Sequence, residues 1–594
     1  QAILKGVLSL GKTVYDAGII PIPCMPYTLA YYNYPYTDHE ISIALYKSAS
    51  HNPASQDGLK VFICQTNEEI GTTYYSKLPV RVECIIAALL YEEAQHGFTS
   101  TKQGIYQPFH SKAQEILRHT MWNEENKPVV NNITFLVMDF AHGSFGSGEY
   151  NQSSVKKLVE TMQIVGNQPN GKNINSNQGT DRVGAAHLEN IVSISRQDIE
   201  FGNKFYGFPA LDALFQYGKQ HNQELQTTGS AWALFTDGDG DRSYVALYEP
   251  KSDSLHIIDG DEALFQQIHQ MHYEKQIKVG DTFSFTVESS IPFIQALYDF
   301  LQQHYPTRLI LSDKEKISDQ HVNLKLCPVG DKHLLQWQCP GAESSGHILR
   351  KYIVVSKNNT TENTVYTGNG PLAGLHTVAA ITRILQTEQN AWDLILHPYE
   401  KPWNTILYIY FVQKSLWYKE SPLWKHVVQI LNKACNDYLL TKIDFHQEQN
   451  TLYYIAKKKQ ETQSQHIEFA ILARPSGTEN KFGIKFYGSE KTRSFFQRVS
   501  EMLFIEIAPK LKDATLQLCQ EEYKILEILQ QQENFISLED LKQKMFPNIV
   551  LSSAQNASFM SIIEAISEKA QNLAFYDGTR LKITPRGIAY LANQ

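Results

Sequence analysis

The 594-residue chain has no run of about 18 consecutive apolar residues, so the sequence predicts no membrane-spanning helix. It has no excess of positive charge either, because 54 Lys and Arg stand against 62 Asp and Glu and give a formal net charge of −8. The composition therefore lacks the general basic surface that nucleic acids and anionic membranes require. We expect neither a membrane nor a nucleic acid as partner, and any anionic substrate must be held by a few local cations.

Cysteine is also scarce. The seven Cys are scattered and odd in number, which favours reduced thiols and a cytoplasmic location. Cys327 and Cys339 have no second Cys or His pair placed to complete a zinc site. The hydrophobic fraction of 42% is ordinary for a globular protein, and the length requires several domains.

The most informative segment that is present lies at residues 48–53, which read Ser-Ala-Ser-His-Asn-Pro. An alternating apolar run precedes it and predicts a strand that ends at this loop. Ser50 would thus stand beside His51, with Lys60 a short distance further along the chain. Because a serine hydroxyl is a weak nucleophile, a neighbouring base or cation is what its chemistry needs. An Asn-Pro turn with a capping serine is the alternative interpretation.

A second unusual loop, at residues 237–242, reads Asp-Gly-Asp-Gly-Asp-Arg. Asp237, Asp239 and Asp241 alternate with glycine, which allows a sharp bend, so three carboxylates converge on one point. Such a set is suited to a hard divalent cation, and Mg²⁺ is the expected ion. An EF-hand is excluded because the sixth and twelfth positions are Arg and Tyr rather than Gly and Glu. A solvated acidic turn remains the alternative.

Two further loops follow: residues 341–347 read Gly-Ala-Glu-Ser-Ser-Gly-His, and residues 474–479 read Arg-Pro-Ser-Gly-Thr-Glu. Each taken alone is also compatible with a simple surface turn. In their order along the chain and in their residues, however, the four loops resemble those of the α-D-phosphohexomutase family, which includes the phosphoglucomutases and phosphomannomutases. The resemblance extends from about residue 1 to about residue 510.

The resemblance implies an α/β fold of three similar domains with mixed sheets, followed by a smaller α+β fourth domain, each with one active-site loop. The expected boundaries are 1–126, 127–250, 251–395 and 396–512. Residues 513–594 lie outside the resemblance, and their helix and strand patterns predict a winged-helix-like appendage of unknown role. This segment contains more carboxylates than Lys plus Arg, which favours packing or oligomerisation over DNA binding.

The resemblance also implies roles for individual residues. Ser50 would carry the phosphoryl group, Lys60 would be the general acid or base, and His51 and Arg242 would assist. Magnesium would be bound by a phosphoryl oxygen on Ser50 together with the three aspartates of the second loop. The expected substrate-binding residues are Lys332, Glu343, Ser345, His347, Arg474, Ser476, Gly477 and Thr478.

The implied reaction interconverts hexose 1-phosphate and hexose 6-phosphate through a phosphoserine enzyme, with hexose 1,6-bisphosphate as intermediate and activator. The expected partner is thus a small phosphosugar, and homo-oligomerisation is left open. We expect glucose or mannose phosphates as substrates, with phosphoglucosamine mutase as the alternative. A catalytically silent regulatory homologue is an alternative of another class.

The chain departs from the family pattern at several positions: Asp57 replaces a common Asn, Ala342 a Gly, Asn369 an Asp and Asn480 a Pro. We interpret Asn369 as structural. The chain begins with Gln1 in a segment that reads as a helix, whereas the family begins earlier, with a strand and a Gly-rich segment bearing an Arg. Either the chain is a fragment that lacks this piece, or its numbering starts after a removed portion.

Residues 6–13 read Gly-Val-Leu-Ser-Leu-Gly-Lys-Thr and match the P-loop pattern of nucleotide hydrolases. A P-loop needs a strand before it and a helix after it. Too few residues precede Gly6 for that strand, and the sequence after Thr13 predicts a strand and a turn. Nucleotide hydrolysis is therefore the less favoured function. Elsewhere, periodicity predicts strands at 133–138, 231–235, 405–412, 469–473 and 483–487, and helices at 80–93 and 372–385.

Overall fold

The computed structural model describes most of the chain. The described residues are 7–32, 43–48, 58–67, 72–78, 82, 103–130, 132–147, 152–169, 174, 179–180, 193–195, 208–312, 315–357, 362–410, 412–459, 466–476, 481–511, 520–532, 534–547, 559–560, 562–563, 566–567, 573–576, 578–584, 587–588 and 591. These residues form two compact units, one of residues 1–289 and 296–400, the other of residues 290–295 and 401–594. No described helix is long and apolar enough to cross a membrane.

The described residues in the N-terminal part of the first unit include two small sheets and two helices. Its elements are β1 (Thr13–Asp16), α1 (Cys24–Tyr32), β2 (Ile43–Ser48), β3 (Gly58–Asn67), β4 (Thr72–Lys77), β5 (Ile105–Pro108) and α2 (His110–Met121). Strands β1 and β5 pair in parallel, whereas β2, β3 and β4 form an antiparallel sheet. The predicted helix at 80–93 lies outside the described residues, apart from residue 82.

The register of the β2–β3–β4 sheet decides which side chains share a face. Tyr46 is opposite Lys60, and Phe62 is opposite Lys77. Opposite residues share a face, as do residues two apart on one strand. Ser48, Lys60 and Lys77 therefore all lie on the same face of this sheet.

The second sheet has six strands in the order β7-β6-β9-β10-β11-β8. The elements of this region are β6 (Ile133–Asp139), α3 (Gln152–Val155), β7 (Val159–Val165), β8 (Ser193–Ser195), α4 (Pro209–Gln220), α5 (Asn222–Leu225), β9 (Ser230–Thr236), β10 (Ser243–Glu249) and β11 (Ser254–Ile258). Strands β6 and β9 confirm the predicted strands at 133–138 and 231–235, and both are buried along their whole length. They run in parallel, so the loops after Asp139 and Thr236 emerge at the same edge.

The connection at residues 250–254 is a hairpin turn within this sheet, because β11 pairs antiparallel with β10. The second sheet therefore extends to Ile258, past the boundary expected at residue 250. A polar turn between two strands has the same composition as a polar linker between domains, and only the strand pairing distinguishes them.

The third sheet has six strands in the order β13-β14-β12-β15-β16-β17. The elements here are α6 (Gly260–Tyr273), β12 (Thr282–Thr286), α7 (Ile291–His304), β13 (Thr307–Ile310), β14 (Val322–Cys327), α8 (Asp331–Leu335), β15 (Gly341–Ala342), β16 (Ile348–Val355), β17 (Glu362–Gly368), α9 (Gly370–Thr387) and α10 (Ala391–Leu396). The helix predicted at 372–385 is confirmed as α9. Together the two large sheets, each with parallel and antiparallel pairs, show that this is an α/β protein with several mixed sheets.

The second unit contains a five-stranded antiparallel sheet in the order β18-β22-β21-β20-β19. Its elements are β18 (Pro402–Tyr410), α11 (Pro422–Ala434), β19 (Tyr438–Ile443), β20 (Leu452–Lys458), β21 (Phe469–Pro475), β22 (Lys481–Ser489) and α12 (Arg493–Leu511), then α13 (Gln520–Gln530), β23 (Ile536–Ser537), α14 (Leu538–Met545), β24 (Ala574–Tyr576) and β25 (Arg580–Ile583). The last three strands form a separate sheet in the order β23-β25-β24. Trp424, Phe486 and Phe496 belong to the core around the five-stranded sheet, whereas Leu526, Leu541 and Leu581 belong to a second cluster formed only by residues after 520.

Candidate active site

The acidic loop directly follows the buried strand β9, and its three carboxylates are almost inaccessible to solvent. Asp237 and Asp239 are 1% exposed and Asp241 is 5% exposed. The backbone N–H groups of Gly240 and Arg242 donate to Asp237 Oδ1, at 3.0 and 3.2 Å, and so fold the loop back on itself. Gly240 has a φ of +81°, and a Cβ there would lie 2.2 Å from the Phe145 ring. Only glycine fits at this position.

The turn after β6 braces the acidic loop from the neighbouring strand. A Cβ at Gly143 would lie 2.2 Å from the carbonyl oxygen of Gly238, so the two backbones are in direct contact. The same carbonyl accepts hydrogen bonds from the backbone N–H and the hydroxyl of Ser144, at 2.9 and 3.2 Å. Asp139 begins this turn and accepts from the N–H of Ala141 at 2.9 Å. The loop is thereby held rigidly at the sheet edge.

Two oxygens in the acidic loop are buried without any hydrogen-bond partner among the residues that the structure describes: Asp237 Oδ2 and Asp241 Oδ1. Together with Asp239, these residues offer ligand atoms that all lie within 4.8 Å of one another. Burial, followed by the charges of Asp239 and Asp241, raises the pKa of Asp237 well above its usual value. Buried carboxylate oxygens without donors are what a divalent cation compensates, so these residues fit Mg²⁺.

Lys60 and Ser48 reach the acidic loop from the β2–β3–β4 sheet. Lys60 Nζ lies 2.5 Å from Asp239 Oδ2, and the Ser48 hydroxyl donates to the same oxygen at 3.2 Å. Burial acts to raise the pKa of Asp239, but Lys60, Asp237 and Lys77 together outweigh burial and hold this pKa below its usual range. The structure thus brings the predicted acid or base residue together with the predicted metal loop. Ser50 and His51 lie outside the described residues.

The predicted sugar-reading loop, residues 341–347, lies beside the acidic loop. His347 is 3% exposed, and its Nδ1 is 3.8 Å from Asp241 Oδ1. Glu343 is also buried, and its Oε1 accepts from the N–H of Gly330 at 2.8 Å. Burial raises the pKa of Glu343, although His347 and Arg242 act in the opposite direction. A carbonyl in the same loop, that of Gly346, accepts from the N–H of Ser243 at 2.8 Å, which joins the loop to the start of β10.

Three other predicted residues of the first unit lie close to these in the chain. Ser345 is half-buried in the sugar-reading loop, Lys332 is half-buried in α8, and Arg242 is half-buried at the end of the acidic loop. Asn369 caps α9, because its side chain accepts from the N–H of Leu372 at 3.3 Å. The structural interpretation of Asn369 is thereby confirmed.

The fourth predicted loop belongs to the second unit and follows β21. Arg474 and Ser476 are half-buried, and the Arg474 Nε donates to the carbonyl of Pro475 at 3.3 Å. Lys414 Nζ donates to the Ser476 carbonyl at 2.7 Å, which adds a second cation at this loop. Gly477 and Thr478 lie outside the described residues.

Sequence reasoning missed two charged residues of the site, Lys77 and Asp331. Lys77 Nζ lies 2.6 Å from Asp331 Oδ2 and 3.8 Å from Asp241 Oδ2. Asp331 follows Gly330 in a segment that the resemblance pointed to, but Lys77 belongs to none of the four loops. Its position on the site face depends on the register of β3 with β4, which the sequence does not reveal.

The charged groups of this site determine what chemistry it can perform. Two ammonium groups and a set of carboxylates suited to a divalent cation converge on one buried point. Phosphoryl transfer depends mainly on positioning and on stabilising charge at the transferring group, which such a set supplies. The P-loop alternative is not supported, because residues 13–16 form strand β1 rather than a helix.

Comparison with known proteins relates the chain to phosphosugar mutases. A family model described as "Phosphoglucomutase/phosphomannomutase, alpha/beta/alpha domain I" matches residues 1–72. A phosphoglucosamine mutase of Streptococcus uberis is 26% identical over 360 residues, which cover 59% of this chain and 61% of that protein. One from Latilactobacillus sakei is 27% identical over 377 residues, which cover 63% and 64%. The matches thus span less than two thirds of these relatives.

Solved structures give the same family names at larger distance. A phosphoglucomutase/phosphomannomutase family protein from Burkholderia thailandensis is 16% identical with a TM-score of 0.48, and the match covers 84% of this chain and 85% of that one. N-acetylphosphoglucosamine mutase from Aspergillus fumigatus, solved with GlcNAc-6P and magnesium, is 13% identical with a TM-score of 0.42, and the match covers 85% and 92%. The domain match over residues 1–72, the sequence relatives and the four loops in their order make the chain similar to members of the α-D-phosphohexomutase superfamily.

Proposed function

We propose that this protein interconverts hexose 1-phosphate and hexose 6-phosphate, with Ser50 as the phosphoryl carrier. The observation that supports this most directly is the meeting of Ser48, Lys60 and the acidic loop, since Ser48 precedes Ser50 by two residues. The similarity to this superfamily supports the same reaction class.

In the proposed cycle, a sugar hydroxyl attacks the phosphorus of phosphorylated Ser50. The bond from phosphorus to the serine oxygen breaks as the bond to the sugar oxygen forms, which gives a hexose 1,6-bisphosphate. Lys60, in its neutral amine form, would take the proton of the attacking hydroxyl and give it to the serine oxygen, so that the serine leaves as the neutral hydroxyl. The bisphosphate then reorients and returns its other phosphoryl group to Ser50 by the reverse steps.

Mg²⁺ bound by Asp237, Asp239 and Asp241 would supply charge neutralisation at the transferring phosphoryl group. The remaining roles fall to side chains. His51 and Arg242 would stand by the same phosphate. Glu343, Ser345, His347 and Lys332 would hold the sugar hydroxyls, and Arg474, Ser476, Gly477 and Thr478 would hold the phosphate that is not reacting.

We also propose the four-domain organisation of the family, with the second domain ending near residue 258 and the fourth comprising the five-stranded sheet. The strand order β23-β25-β24 with the preceding helices supports a winged-helix-like appendage. Because this segment contains more carboxylates than Lys plus Arg, its role is better explained by packing or oligomerisation than by DNA binding.

A second candidate substrate has a specific observation in its favour. The sequence relatives from Streptococcus uberis and Latilactobacillus sakei are both named phosphoglucosamine mutase. Glucosamine 6-phosphate therefore stands beside glucose and mannose phosphates as a candidate. A direct comparison of the three sugars, with Mg²⁺ and trace hexose 1,6-bisphosphate present, decides among them by kcat/KM.

The serine role is tested by Ser50→Ala. We expect the wild-type protein to carry phosphate on Ser50 by peptide mass spectrometry. In the variant we expect interconversion to fall at least about 1,000-fold, because the covalent step loses its acceptor. Ser111→Ala, at an exposed position of α2, is the matched control and should keep full activity. A wild type inactive on all three sugars, or phosphate found only on another residue, would contradict the proposal.

A further inference from the structure

Lys77 is a largely buried cation at the end of β4 that belongs to none of the four loops. Its side chain is only 15% exposed. The ammonium is shared between two carboxylates on different parts of the first unit, Asp331 at 2.6 Å and Asp241 at 3.8 Å.

Asp331 links this lysine to the sugar-reading loop. It is the first residue of α8, its side chain is 14% exposed, and its Oδ2 lies 3.7 Å from His347 Nε2. The preceding residue, Gly330, donates its N–H to Glu343 Oε1. The start of α8 is therefore held by Glu343 and His347 on one side and by Lys77 on the other.

The carboxylates of Asp241 and Asp331 with the ring of His347 also satisfy the distances of a metal site, since their ligand atoms lie within 4.8 Å. Lys77, however, already lies within 4.0 Å of both carboxylates. One ammonium so placed already compensates both carboxylates of this set. In the acidic loop, by contrast, Asp237 keeps a buried oxygen that has no hydrogen-bond partner among the described residues. The geometry is thus that of an internal cation bridge rather than of a further metal site.

We propose that Lys77 is a positioning residue, whose ammonium bridges Asp241 and Asp331 and so sets the distance between the acidic loop and the sugar-reading loop. The proposal rests on the proposed mutase function for its kinetic consequences. The acidic loop would hold the metal at the phosphoryl group of Ser50, and the sugar-reading loop would hold the sugar. A shift of the sugar-reading loop therefore weakens sugar binding first and, to a smaller extent, misaligns the two reactants.

The first test compares Lys77→Met with Lys77→Arg and with Lys351→Met, a matched control at an exposed position of β16. In Lys77→Met we expect the KM for hexose phosphate to rise about 10-fold or more, with a smaller fall in kcat, because the sugar-reading loop loses its anchor. Lys77→Arg keeps a cation able to contact both carboxylates, so its KM and kcat should lie within about 3-fold of the wild-type values. Lys351→Met should match the wild type.

The second test measures metal binding without any sugar, by Mn²⁺ titration followed by electron paramagnetic resonance. Removing a cation 3.8 Å from Asp241 raises the negative potential at the acidic loop. We therefore expect Lys77→Met to bind Mn²⁺ about 5-fold more tightly than the wild type. General loosening of the fold would weaken metal binding instead. Tighter binding of Mn²⁺ together with weaker binding of the sugar phosphate therefore identifies the bridge.

Asp331→Asn removes the other end of the bridge and leaves Lys77 beside Asp241. We expect its KM to rise as in Lys77→Met, without tighter Mn²⁺ binding. The double variant should be no worse in KM than Lys77→Met alone, because both changes break one link. If Lys77→Met does not fold, Asp331→Asn and Lys77→Arg carry the test.

An unchanged KM in both Lys77→Met and Asp331→Asn overturns the proposal, as does Mn²⁺ affinity that falls together with thermal stability. A wild type that turns over no hexose phosphate overturns the proposed function instead. In that case the Mn²⁺ comparison, with calorimetric binding of the sugar phosphate in place of KM, still supports or overturns the bridge.

Discussion

At the scale of single residues, the site concentrates negative charge where water cannot screen it. Asp237 illustrates the consequence, since burial and its two aspartate neighbours raise its pKa, and its Oδ2 has no hydrogen-bond partner among the described residues. Its other oxygen is needed for folding, because it accepts from the N–H groups of Gly240 and Arg242. Asp237 thus uses one carboxylate oxygen to hold the loop and keeps the other for a cation.

We expect Asp237→Asn to separate these two roles. The amide oxygen still accepts from the loop backbone, so thermal stability in EDTA should not fall. The Mg²⁺-dependent rise in melting temperature should be lost, and mutase activity should drop about 100-fold or more, because one anionic ligand is gone. Melting curves with and without Mg²⁺ provide the measurement. Asp212→Asn, at an exposed position of α4, is the control, and a large loss of stability in EDTA would contradict the assignment.

At the scale of elements, helices α6 and α7 bring three histidines together. The His269 ring stacks on Phe300 with centroids 3.7 Å apart, and the rings of His272 and His304 lie 4.2 Å apart. Burial, followed by the charges of His272 and His304, lowers the pKa of His269 to about 4. The folded state therefore keeps His269 neutral at pH values where an unfolded chain protonates it.

This difference makes the first unit sensitive to acid. The pKa of His269 falls from 6.5 to about 4 on folding, so its contribution is complete above pH 6.5 and is lost as the pH falls towards 4. Between pH 8 and pH 5 we expect a loss of about 2 kcal/mol in the free energy of unfolding. His269→Gln should reduce this loss, whereas His119→Gln, at an exposed position of α2, should not. Urea unfolding at pH 8 and at pH 5 measures this loss of free energy. An equal loss in His269→Gln would refute the explanation.

At the scale of the whole molecule, the segment after residue 520 has a core of its own. Leu541 is fully buried in a cluster whose members all come from this segment, including Ile525, Phe559 and Leu581. A segment that buries its apolar side chains against one another is able to fold as a separate unit. Its stability is then expected to be independent of the rest of the chain.

We expect Leu541→Ala to destabilise this segment by about 3 kcal/mol, because a buried leucine is replaced by a cavity. Hexose-phosphate activity should stay within about 2-fold of the wild type, since a change confined to a segment with its own core does not couple to an independent site. Calorimetry should show one transition shifted and the rest unmoved. A chain that ends at residue 512 should likewise keep its hexose-phosphate activity. If the segment mediates oligomerisation, the shortened chain should also sediment as a smaller species. Parallel loss of activity and stability would argue against independence.

Much of the fold and of the site was predictable, and the failures have physical causes. Strands β6 and β9 and helix α9 were predicted because their apolar patterns are local. The turn at 250–254 was read as a domain boundary, since polar composition does not tell a hairpin from a linker. Lys77 was missed because its neighbours in space, Asp241 and Asp331, are far away in sequence.

The sequence by itself determined the four loops and the residue types that suit a cation and a phosphate. It also determined the strand that precedes each buried turn. These features depend on short segments and on their chemistry. Only the tertiary structure decided that Lys60 and Lys77 face the same carboxylate loop. Strand register and sheet packing fix that meeting, and a one-residue change in pairing would have turned both ammonium groups to the opposite face.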